Sequence, residues 1–397
     1  MGGVSMEWKE VRLGDVCSEL SDGLHKAPKF IVNGEYIFVN AKNLYNGYIL
    51  DNDLTKKTSH EEYLKYKKPL GKHSILYSID GTIGNIAKYR GEKCVLGKGA
   101  CYINCNPEIV ESSYLYYQLQ SPHFKSYIHL MSTGSTIKHI SLKTMRDYVF
   151  ELPSLEDQRR IASILSSLDR KIELNNKINA DLEEMAQAIF KNWFVDFEPF
   201  KDGKFVDSEL GMIPEGWKVG TLFDIAEIFD KKRKPLSGNV REKMDKIYPY
   251  YGATSCMDYV DDYIFDGIYT LIGEDGSVVK ENGLPYMQYV WGKMWVNNHA
   301  HILQGKNGYS TEMIHALLSI TNIKFLVTGA VQAKLSQGNM QKILVAIPPK
   351  NVLDEIRPAM DNLYKKIRLN TDENSRLSLL RDTLLPLLIS GEIEVPE

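Results

Sequence analysis

His299 and His301, in the segment NNHAHIL, are the residues whose type and spacing come nearest to a metal-binding pair. Residues two apart on a strand face the same side, so both imidazoles could approach one ion. No third ligand is evident in the sequence, and a pair of strand histidines more often has a structural or ligand-facing role. The segment therefore predicts two histidines on one face of a strand, with a metal site as the less favoured alternative.

Phosphate-binding and cofactor-binding loops are absent in their usual forms. The segment GEKCVLGKG, residues 91–99, has one residue too many for a Walker loop and ends on Gly99 where Ser or Thr is required. No Gly-x-Gly-x-x-Gly follows a strand-like run. The only Pro-Pro pair, Pro348-Pro349, follows Ile347 and not the Asn or Asp of an amino-methyltransferase motif. The residues therefore support no catalytic role and no cofactor in this chain.

The five cysteines form no CxxC pair, and we interpret them as reduced structural thiols. Cys101 and Cys105 are four residues apart in a strand-like segment, which separates their side chains. A metal site at these cysteines is therefore not expected.

Basic, amide and hydroxyl side chains in predicted loops are the features that indicate nucleic acid. Amides can bind adenine edges, and Arg or Lys can bind guanine or phosphate. A short run of charge is more often only a solvated surface, but similar clusters occur in both halves of the chain. The candidate DNA-binding residues are Lys26, Lys29, Asn40, Lys42, Asn43, Thr82, Lys138, Lys231, Lys232, Arg233, Lys234, Thr254, Ser277, His299 and Lys334.

The net charge of -3 argues at first against a nucleic-acid partner, but the charge is unevenly distributed. Residues 1–150 contain 19 basic and 15 acidic side chains, whereas residues 151–200 contain 6 and 10. Residues 201–350 contain 17 of each, and residues 351–397 contain 6 and 9. The excess of acidic over basic side chains thus lies in the segments predicted to be helical. The other segments have a positive or balanced charge, which is compatible with binding to DNA.

The chain is an internal repeat. Trp8 corresponds to Trp217 at an offset of 209, and from Thr133 onward an offset of 195 holds without a gap, for example at Ser141 and Ser336. Each copy begins with a part rich in Tyr, Gly and β-branched residues and in turn signals, which predicts a mixed α/β domain. Each copy then ends in a long segment with apolar residues three and four apart, which predicts a helix.

The predicted helices cover Leu155 to Phe194 and about Arg357 to Leu385. Pro358 favours a later start for the second helix because proline fits a first helical turn, and Pro386 predicts its end or a kink. The coiled-coil stripes are Ile161, Leu165, Leu168, Ile172, Asn175, Leu182, Met185 and Ile189 in the first helix, and Ile356, Met360, Leu363, Ile367, Asn370, Leu377, Leu380 and Leu384 in the second.

Asn175 and Asn370 occupy the same polar position of the two stripes. A polar Asn in an apolar stripe can fix the register between helices. We therefore predict that the helices pair through these asparagines, with the packing of each helix on its own domain as the alternative. The helix-pairing residues of the prediction are Leu168, Ile172, Asn175, Leu182, Leu363, Ile367, Asn370 and Leu377.

The predicted fold class is α+β, with two mixed α/β domains separated by two long antiparallel coiled-coil helices and related by a pseudo-two-fold axis. The predicted boundaries are 1–154 for the first domain, 155–200 for the central helical region, 201–349 for the second domain and 350–397 for the C-terminal helical region.

Several segments resemble the specificity (S) subunits of type I restriction-modification systems. The resemblance covers nearly the whole chain, in order and in duplicate. One departure is Glu156-Asp157-Gln158, where the family usually has Glu-Gln, and another is residues 351–355 in the second copy. The segments that carry the resemblance are IPEGW, GTIG, EDGS, WVNNHAHIL, HISLKTMRDYVFELPSLEDQRRIASIL, KLSQGNMQKILVAIPP, AIFKNWFVDFEP and LLISGEIEV.

This resemblance implies a non-catalytic subunit whose two target-recognition domains each read half of a bipartite double-stranded DNA site. The helices would set the spacer and dock two methyltransferase subunits, which would bring S-adenosylmethionine and flip out an adenine in each half. Motor-nuclease subunits would join for cleavage. The alternatives are a self-sufficient methyltransferase or nuclease and a purely structural coiled-coil protein.

The sequence also bounds where the protein works. No secretion signal opens the chain, and no apolar stretch approaches the roughly 18 residues of a membrane span. We therefore expect the cytoplasm and no membrane partner.

Overall fold

The computed structural model describes residues 8–52, 54–134, 138–329 and 332–395, and the chain divides into two compact units. The first unit contains Met1–Ile172 and Ser375–Glu397, and the second contains Glu173–Asn374. Each of the two long helices therefore contributes residues to both units.

The first unit is a mixed α/β structure. Its strands are β1 (Lys9–Arg12), β2 (Cys17–Asp22), β3 (Tyr36–Val39), β4 (Leu44–Tyr45), β5 (Tyr48–Ile49), β6 (Lys57–Thr58), β7 (Ser74–Ser78), β8 (Ile86–Lys88), β9 (Cys94–Leu96), β10 (Ala100–Cys105) and β11 (Val149–Leu152). Its helices are α1 (His60–Tyr66), α2 (Ser112–Gln118), α3 (Pro122–Met131), α4 (Leu142–Arg146) and the first part of α5 (Leu155–Phe194).

The main sheet of the first unit is antiparallel, with the strand order β2-β10-β7-β8. A second sheet has the order β6-β3-β9, in which β3 and β9 are parallel. β1 pairs with β11, which joins the beginning of the unit to the strand that leads into α5. β4 and β5 form a short hairpin.

The second unit has a similar order of elements. Its strands are β12 (Phe205–Val206), β13 (Ile213–Pro214), β14 (Lys218–Thr221), β15 (Ala226–Ile228), β16 (Tyr248–Tyr251), β17 (Cys256–Val260), β18 (Phe265–Gly273), β19 (Met287–Val296), β20 (Ala300–Gly305) and β21 (Leu344–Ile347). Its helices are α6 (Leu222–Ile225), α7 (Gly238–Arg241), α8 (Thr311–Ile320), α9 (Gln337–Met340), the second part of α5 and the first part of α10 (Lys350–Ile389).

The main sheet of the second unit has the order β15-β20-β18-β19-β16-β17, with only the β16–β19 pair parallel among its described ladders. β14 pairs with β21 as β1 pairs with β11 in the first unit. Because β21 leads directly into α10, each copy of the repeat closes its domain with the same two-stranded ladder before its long helix. The predicted α+β repeat is confirmed.

Helix α5 has the predicted bounds, Leu155–Phe194. The Ser154 hydroxyl accepts a hydrogen bond from the Asp157 amide at 3.2 Å, which caps the N-terminus. At 1.5 Å per residue, its 40 residues give a length of about 60 Å. In the described part of the chain, no helix combines the length and the apolar character that crossing a membrane requires.

The predicted start of the second helix near Arg357 is wrong, as is its predicted end near Leu385. α10 begins at Lys350, continues through Pro358 and Pro386, and has 40 residues like α5. An interior proline costs about 3 kcal/mol. The first two turns bury Val352, Leu353 and Ile356, and each such side chain contributes roughly 1.5–3 kcal/mol. Burial therefore outweighs the missing hydrogen bond at Pro358.

Both cores use equivalent positions of the repeat. The first unit buries Ile161 from the beginning of α5 and Ile389 from the end of α10. The second unit buries Ile356 from the beginning of α10 and Phe194 from the end of α5. These residues correspond at the offset of 195. One correction concerns the predicted stripes: Met185 and its counterpart Leu380 are exposed, and Ala186 is buried in place of Met185.

Within the second unit, α5 and α10 contact each other in antiparallel orientation through asparagines. The Asn175 amide donates to Asn374 Oδ1 at 2.9 Å, and the Asn370 amide donates to Asn179 Oδ1 at 2.8 Å. Asn175 and Asn370 are each 1% exposed. Asn175 therefore bonds to Asn374, one turn beyond Asn370, and Asn370 bonds to Asn179, one turn beyond Asn175. The contact consists of two successive amide hydrogen bonds between the helices.

The other predicted helix-pairing residues are buried or half-buried, each within its own unit. They are Leu168, Ile172, Leu182, Leu363, Ile367 and Leu377.

We expect His315 to make the second unit sensitive to acid. Its ring packs against Tyr289 and Tyr364, and burial, helped by the charge of Lys280, lowers the pKa of His315 to about 4. The unfolded chain binds this proton near pH 6.5 and the folded chain does not. The contribution of neutral His315 to stability should therefore be fully present above pH 6.5. The free energy of unfolding should fall by about 3 kcal/mol as the pH drops to 4.

Urea unfolding between pH 4 and pH 7 tests this expectation. The variant His315→Asn should lose this part of the pH dependence even if it is less stable at pH 7. His129, which is exposed on α3, provides the control. If the free energy of unfolding changed equally with pH in the wild type and in His315→Asn, the assignment of this pH dependence to His315 would be contradicted.

Candidate nucleic-acid interface

The same pair of loops occurs in each unit at equivalent positions. In the first unit, the turn after β7 meets the loop before α4, where the Gly81 amide donates to Lys138 O at 3.1 Å. In the second unit, the Gly276 amide donates to Ala333 O at 3.0 Å. We call residues 79–84 with 132–134 and 138–141, and residues 274–279 with 327–329 and 332–336, the loop pairs. Gly81 and Gly276 have positive φ angles of 74° and 77°, which favours glycine at both turns.

The backbone pairing within each loop pair also repeats. The bridge of Asp80 with His139 in the first unit corresponds to the bridge of Asp275 with Lys334 in the second. The Thr133–His139 pairing likewise corresponds to the Thr328–Lys334 pairing. Backbone hydrogen bonds within each loop pair therefore hold its two loops together.

In the first unit, four of the predicted residues line one groove of about 640 Å³ beside the loop pair. Lys42 and Thr82 are exposed there. Asn43 is buried, and its amide group donates to Leu50 O at 3.0 Å while its Oδ1 accepts from the Asn40 amide at 3.0 Å. Asn43 therefore holds the segment that presents Lys42, and its amide is not available to a base.

The other predicted residues of the first unit are exposed lysines. Lys138 lies in the loop pair, and Lys26 lies in the segment after β2. Lys29 follows in the same segment, where its backbone amide donates to the Glu62 carboxylate at 2.9 Å. The side chains of all three lysines are exposed to solvent.

In the second unit, Lys231, Lys232 and Lys234 are exposed after β15, but Arg233 is directed inward. Its guanidinium donates to Glu274 Oε2 at 2.6 Å and to Ala300 O at 2.8 Å. The predicted DNA contact by Arg233 is therefore replaced by an internal role.

The remaining candidates of the second unit lie on turns around the loop pair. Ser277 and Lys334 are exposed within it, and Lys334 Nζ lies 3.5 Å from Glu274 Oε1. Thr254 is exposed in the turn between β16 and β17, whose Ala253 backbone lies beside Gly273. These side chains surround one surface.

His299 and His301 do not share one face, contrary to the prediction. His299 lies in the turn before β20, half-exposed, and its Nδ1 contacts the Asp275 carboxylate. His301 lies inside β20, 1% exposed. The alternation of a strand does not apply because only the second histidine is in the strand.

Asp230, Glu274 and His301 bring their ligand atoms within 4.8 Å of one another, which is a possible metal cluster among the described residues. The guanidinium of Arg233 already lies against both carboxylates, at 3.4 Å from Asp230 and 2.6 Å from Glu274. A cation of the protein itself therefore already contacts both carboxylates of this group.

Residues 6–184 and residues 214–379 both match the family described as Type I restriction modification DNA specificity domain. The chain belongs to this family. It is a type I restriction-modification specificity subunit, and the resemblance seen in the sequence is confirmed.

Three specificity subunits illustrate the similarity. The type I restriction enzyme MjaIX specificity subunit of Methanocaldococcus jannaschii is 28% identical over 395 residues, which cover 93% of this chain and 86% of the relative. The HindI specificity subunit of Haemophilus influenzae is 23% identical and is covered completely by an alignment that includes 98% of this chain. The type I S subunit from M. genitalium shares the fold, with a TM-score of 0.58, 17% identity and 98% coverage of both chains.

In this specificity subunit, two lysines that the sequence patterns did not single out belong to the first loop-pair surface. Lys56 lines the groove with Lys42, and Lys98 lies in the turn before β10, 3.9 Å from Asp80. Lys98 is the second lysine of the segment GEKCVLGKG. That segment fails as a phosphate loop, yet Lys98 lies on the face with the other cations. The equivalent position in the second copy is Asn298, within the quoted motif WVNNHAHIL.

Proposed function

We infer that each unit of this specificity subunit reads one half of a bipartite double-stranded DNA site through its loop pair. The observation that carries the proposal is the repetition of the same hydrogen-bonded loop pair in both units, each with exposed cations around it. Exposed lysines would bind phosphate and position the duplex, and amide, hydroxyl and imidazole groups on the turns would contact base edges.

The long helices would set the spacer between the halves and dock two methyltransferase subunits. Both helices have 40 residues and both contribute to the core of each unit, which supports a role as a fixed-length element. The methyltransferase subunits would bring S-adenosylmethionine, so this chain would bind no cofactor and perform no chemistry. Motor-nuclease subunits would join for cleavage, and the assembly would act in the cytoplasm.

An exchange of one domain tests this proposal. Residues 217–335 would be replaced by the equivalent segment of another specificity subunit, and methylated sites would be mapped in cells that carry the chain with its partners. We expect one half of the recognised site to change completely and the other half and the spacer to stay. The matched exchange of residues 8–140 should change the opposite half. A change in both halves after either exchange would contradict independent reading by two domains.

A further inference from the structure

Four segments of the second unit meet at one buried group of charged side chains. We call Asp230, Arg233, Glu274 and His301 the charge cluster. The segments that it joins are residues 229–234, 274–277, 297–301 and 334–337, and they carry every candidate DNA-binding residue of the second unit except Thr254.

Asp230 is the centre of the cluster and accepts hydrogen bonds from several sides. Its Oδ1 accepts from the Ile302 amide at 3.0 Å, and its Oδ2 accepts from Gln337 Nε2 at 2.7 Å and lies 2.5 Å from His301 Nδ1. Burial alone would raise the pKa of Asp230, but these bonds and the charge of Arg233 lower it overall. Asp230 is therefore a carboxylate with only acceptor atoms.

His301 must then donate from both ring nitrogens. Nδ1 faces the Asp230 carboxylate, and Nε2 lies 2.7 Å from Leu335 O, which is also only an acceptor. A neutral imidazole has one donor and one acceptor, whereas the imidazolium has two donors. The geometry therefore requires the doubly protonated ring.

The charges that face this ring balance it. Asp230 and Glu274 are acidic, with Glu274 Oε2 at 3.7 Å from Nδ1. Arg233 lies on both carboxylates, and Lys334 approaches Glu274 from the surface. Two cations thus meet two acids, with His301 and Asp230 buried and Arg233 and Glu274 half-buried, and loss of the ring proton would leave one acid unbalanced.

The first unit lacks the charges of His301 and Glu274 at the equivalent positions, although it keeps an acid, Asp22, where the second unit has Asp230. Cys101, which is opposite Asp22 on β2, corresponds to His301, which is opposite Asp230. Ile79 corresponds to Glu274, and Ile140 corresponds to Leu335. All three side chains are buried in the apolar core of the first unit. The two loop pairs therefore share their backbone hydrogen bonds, but the side chains that pack beneath them differ.

We propose that His301, as an imidazolium held by Asp230, is the positioning residue of the second loop pair, and that recognition of one half-site alone depends on its proton. The Nε2 bond to Leu335 O holds the end of the loop that presents Lys334, while Arg233 holds the turn that presents His299. This proposal depends on the proposed function only for its DNA readout.

The first measurement uses the wild-type protein with selectively labelled histidine rings. At pH 7, the ¹⁵N shifts of His301 should be those of a ring protonated at both nitrogens. A ring with one unprotonated nitrogen at pH 7 would overturn the proposal even if no variant folds.

The second measurement compares His301→Gln with Cys101→Ser, the matched change in the first unit. His301→Gln should accelerate exchange at Leu335 roughly tenfold or more, since a charged hydrogen bond is lost. It should also weaken selection of one half-site by a similar factor. Cys101→Ser should leave exchange at Gly276 and Leu335 unchanged.

The outcomes separate the two proposals. If the wild-type complex recognises no bipartite site, the proposed function fails, while the ring and exchange measurements still decide the role of His301. If sites are recognised but His301→Gln weakens both halves equally or neither, the positioning proposal fails and the DNA function stands.

Discussion

Removal of one turn from each long helix is expected to shorten the recognised DNA spacer by one to two base pairs. Deletion of residues 171–174 and 375–378 removes about 6 Å from each helix at 1.5 Å per residue, and one base pair rises about 3.4 Å. Both removed segments lie at the boundaries between the two units, next to the asparagine contacts. Both half-sites should remain, because the loop pairs are not altered.

The pairs that hold the helices survive this deletion. Asn175 with Asn374 in the second unit, and Asp169 with Arg381 at 2.8 Å in the first, lie outside the removed residues. Mapping of methylated sites gives the spacer directly. As a control, deletion of 375–378 alone shifts one helix against the other and should abolish recognition. An unchanged spacer after the double deletion would refute the role of the helices in spacing.

Replacement of Arg368 by methionine is expected to destabilise the second unit by about 3–5 kcal/mol. Arg368 Nη1 donates to Glu312 Oε1 at 2.6 Å and contacts the hydroxyl of Tyr289, which itself donates to Glu312 at 2.7 Å. The Glu312 side chain is only 7% exposed. Loss of the guanidinium leaves this carboxylate buried without its cation, and desolvation makes that state costly.

Arg357 on the same helix provides a matched control. Its pair with Asp361 at 3.3 Å lies at the surface, so Arg357→Met should cost less than about 1 kcal/mol. The double variant Arg368→Met with Glu312→Gln should recover much of the loss, because no unpaired charge remains buried. Urea unfolding followed by tryptophan fluorescence measures all three. A loss for Arg368→Met no larger than that for Arg357→Met would show that the buried pair is not a determinant of stability.

The long helices could be predicted from the sequence because the apolar periodicity that indicates a helix involves residues close together in the chain. The 3.6-residue periodicity between Leu155 and Phe194 predicts α5 with its observed bounds. The start of α10 was predicted wrongly because Pro358 is also a local signal. The cost of a proline inside a helix can be recognised from the sequence alone. The compensating burial of Val352, Leu353 and Ile356 involves residues far along the chain.

The candidate interface was accessible only in part. Exposed lysines such as Lys42 and Lys232 were identified because charge clusters in loops usually lie at the surface. Arg233 was misassigned because its partner Glu274 is 41 residues away. Asn43 was misassigned because its amide bonds to backbone and side-chain groups that fold around it.

The sequence by itself determined the duplication, the order of the domains and helices, and the family, because periodicity, register and motif order are properties of neighbouring residues. Only the tertiary structure decided which polar side chains face solvent and which support the loops. Whether a charge is free or neutralised depends on partners that folding brings within hydrogen-bond distance. The His301 proton is the clearest example, since it follows from two acceptors that lie 71 and 34 residues away along the chain.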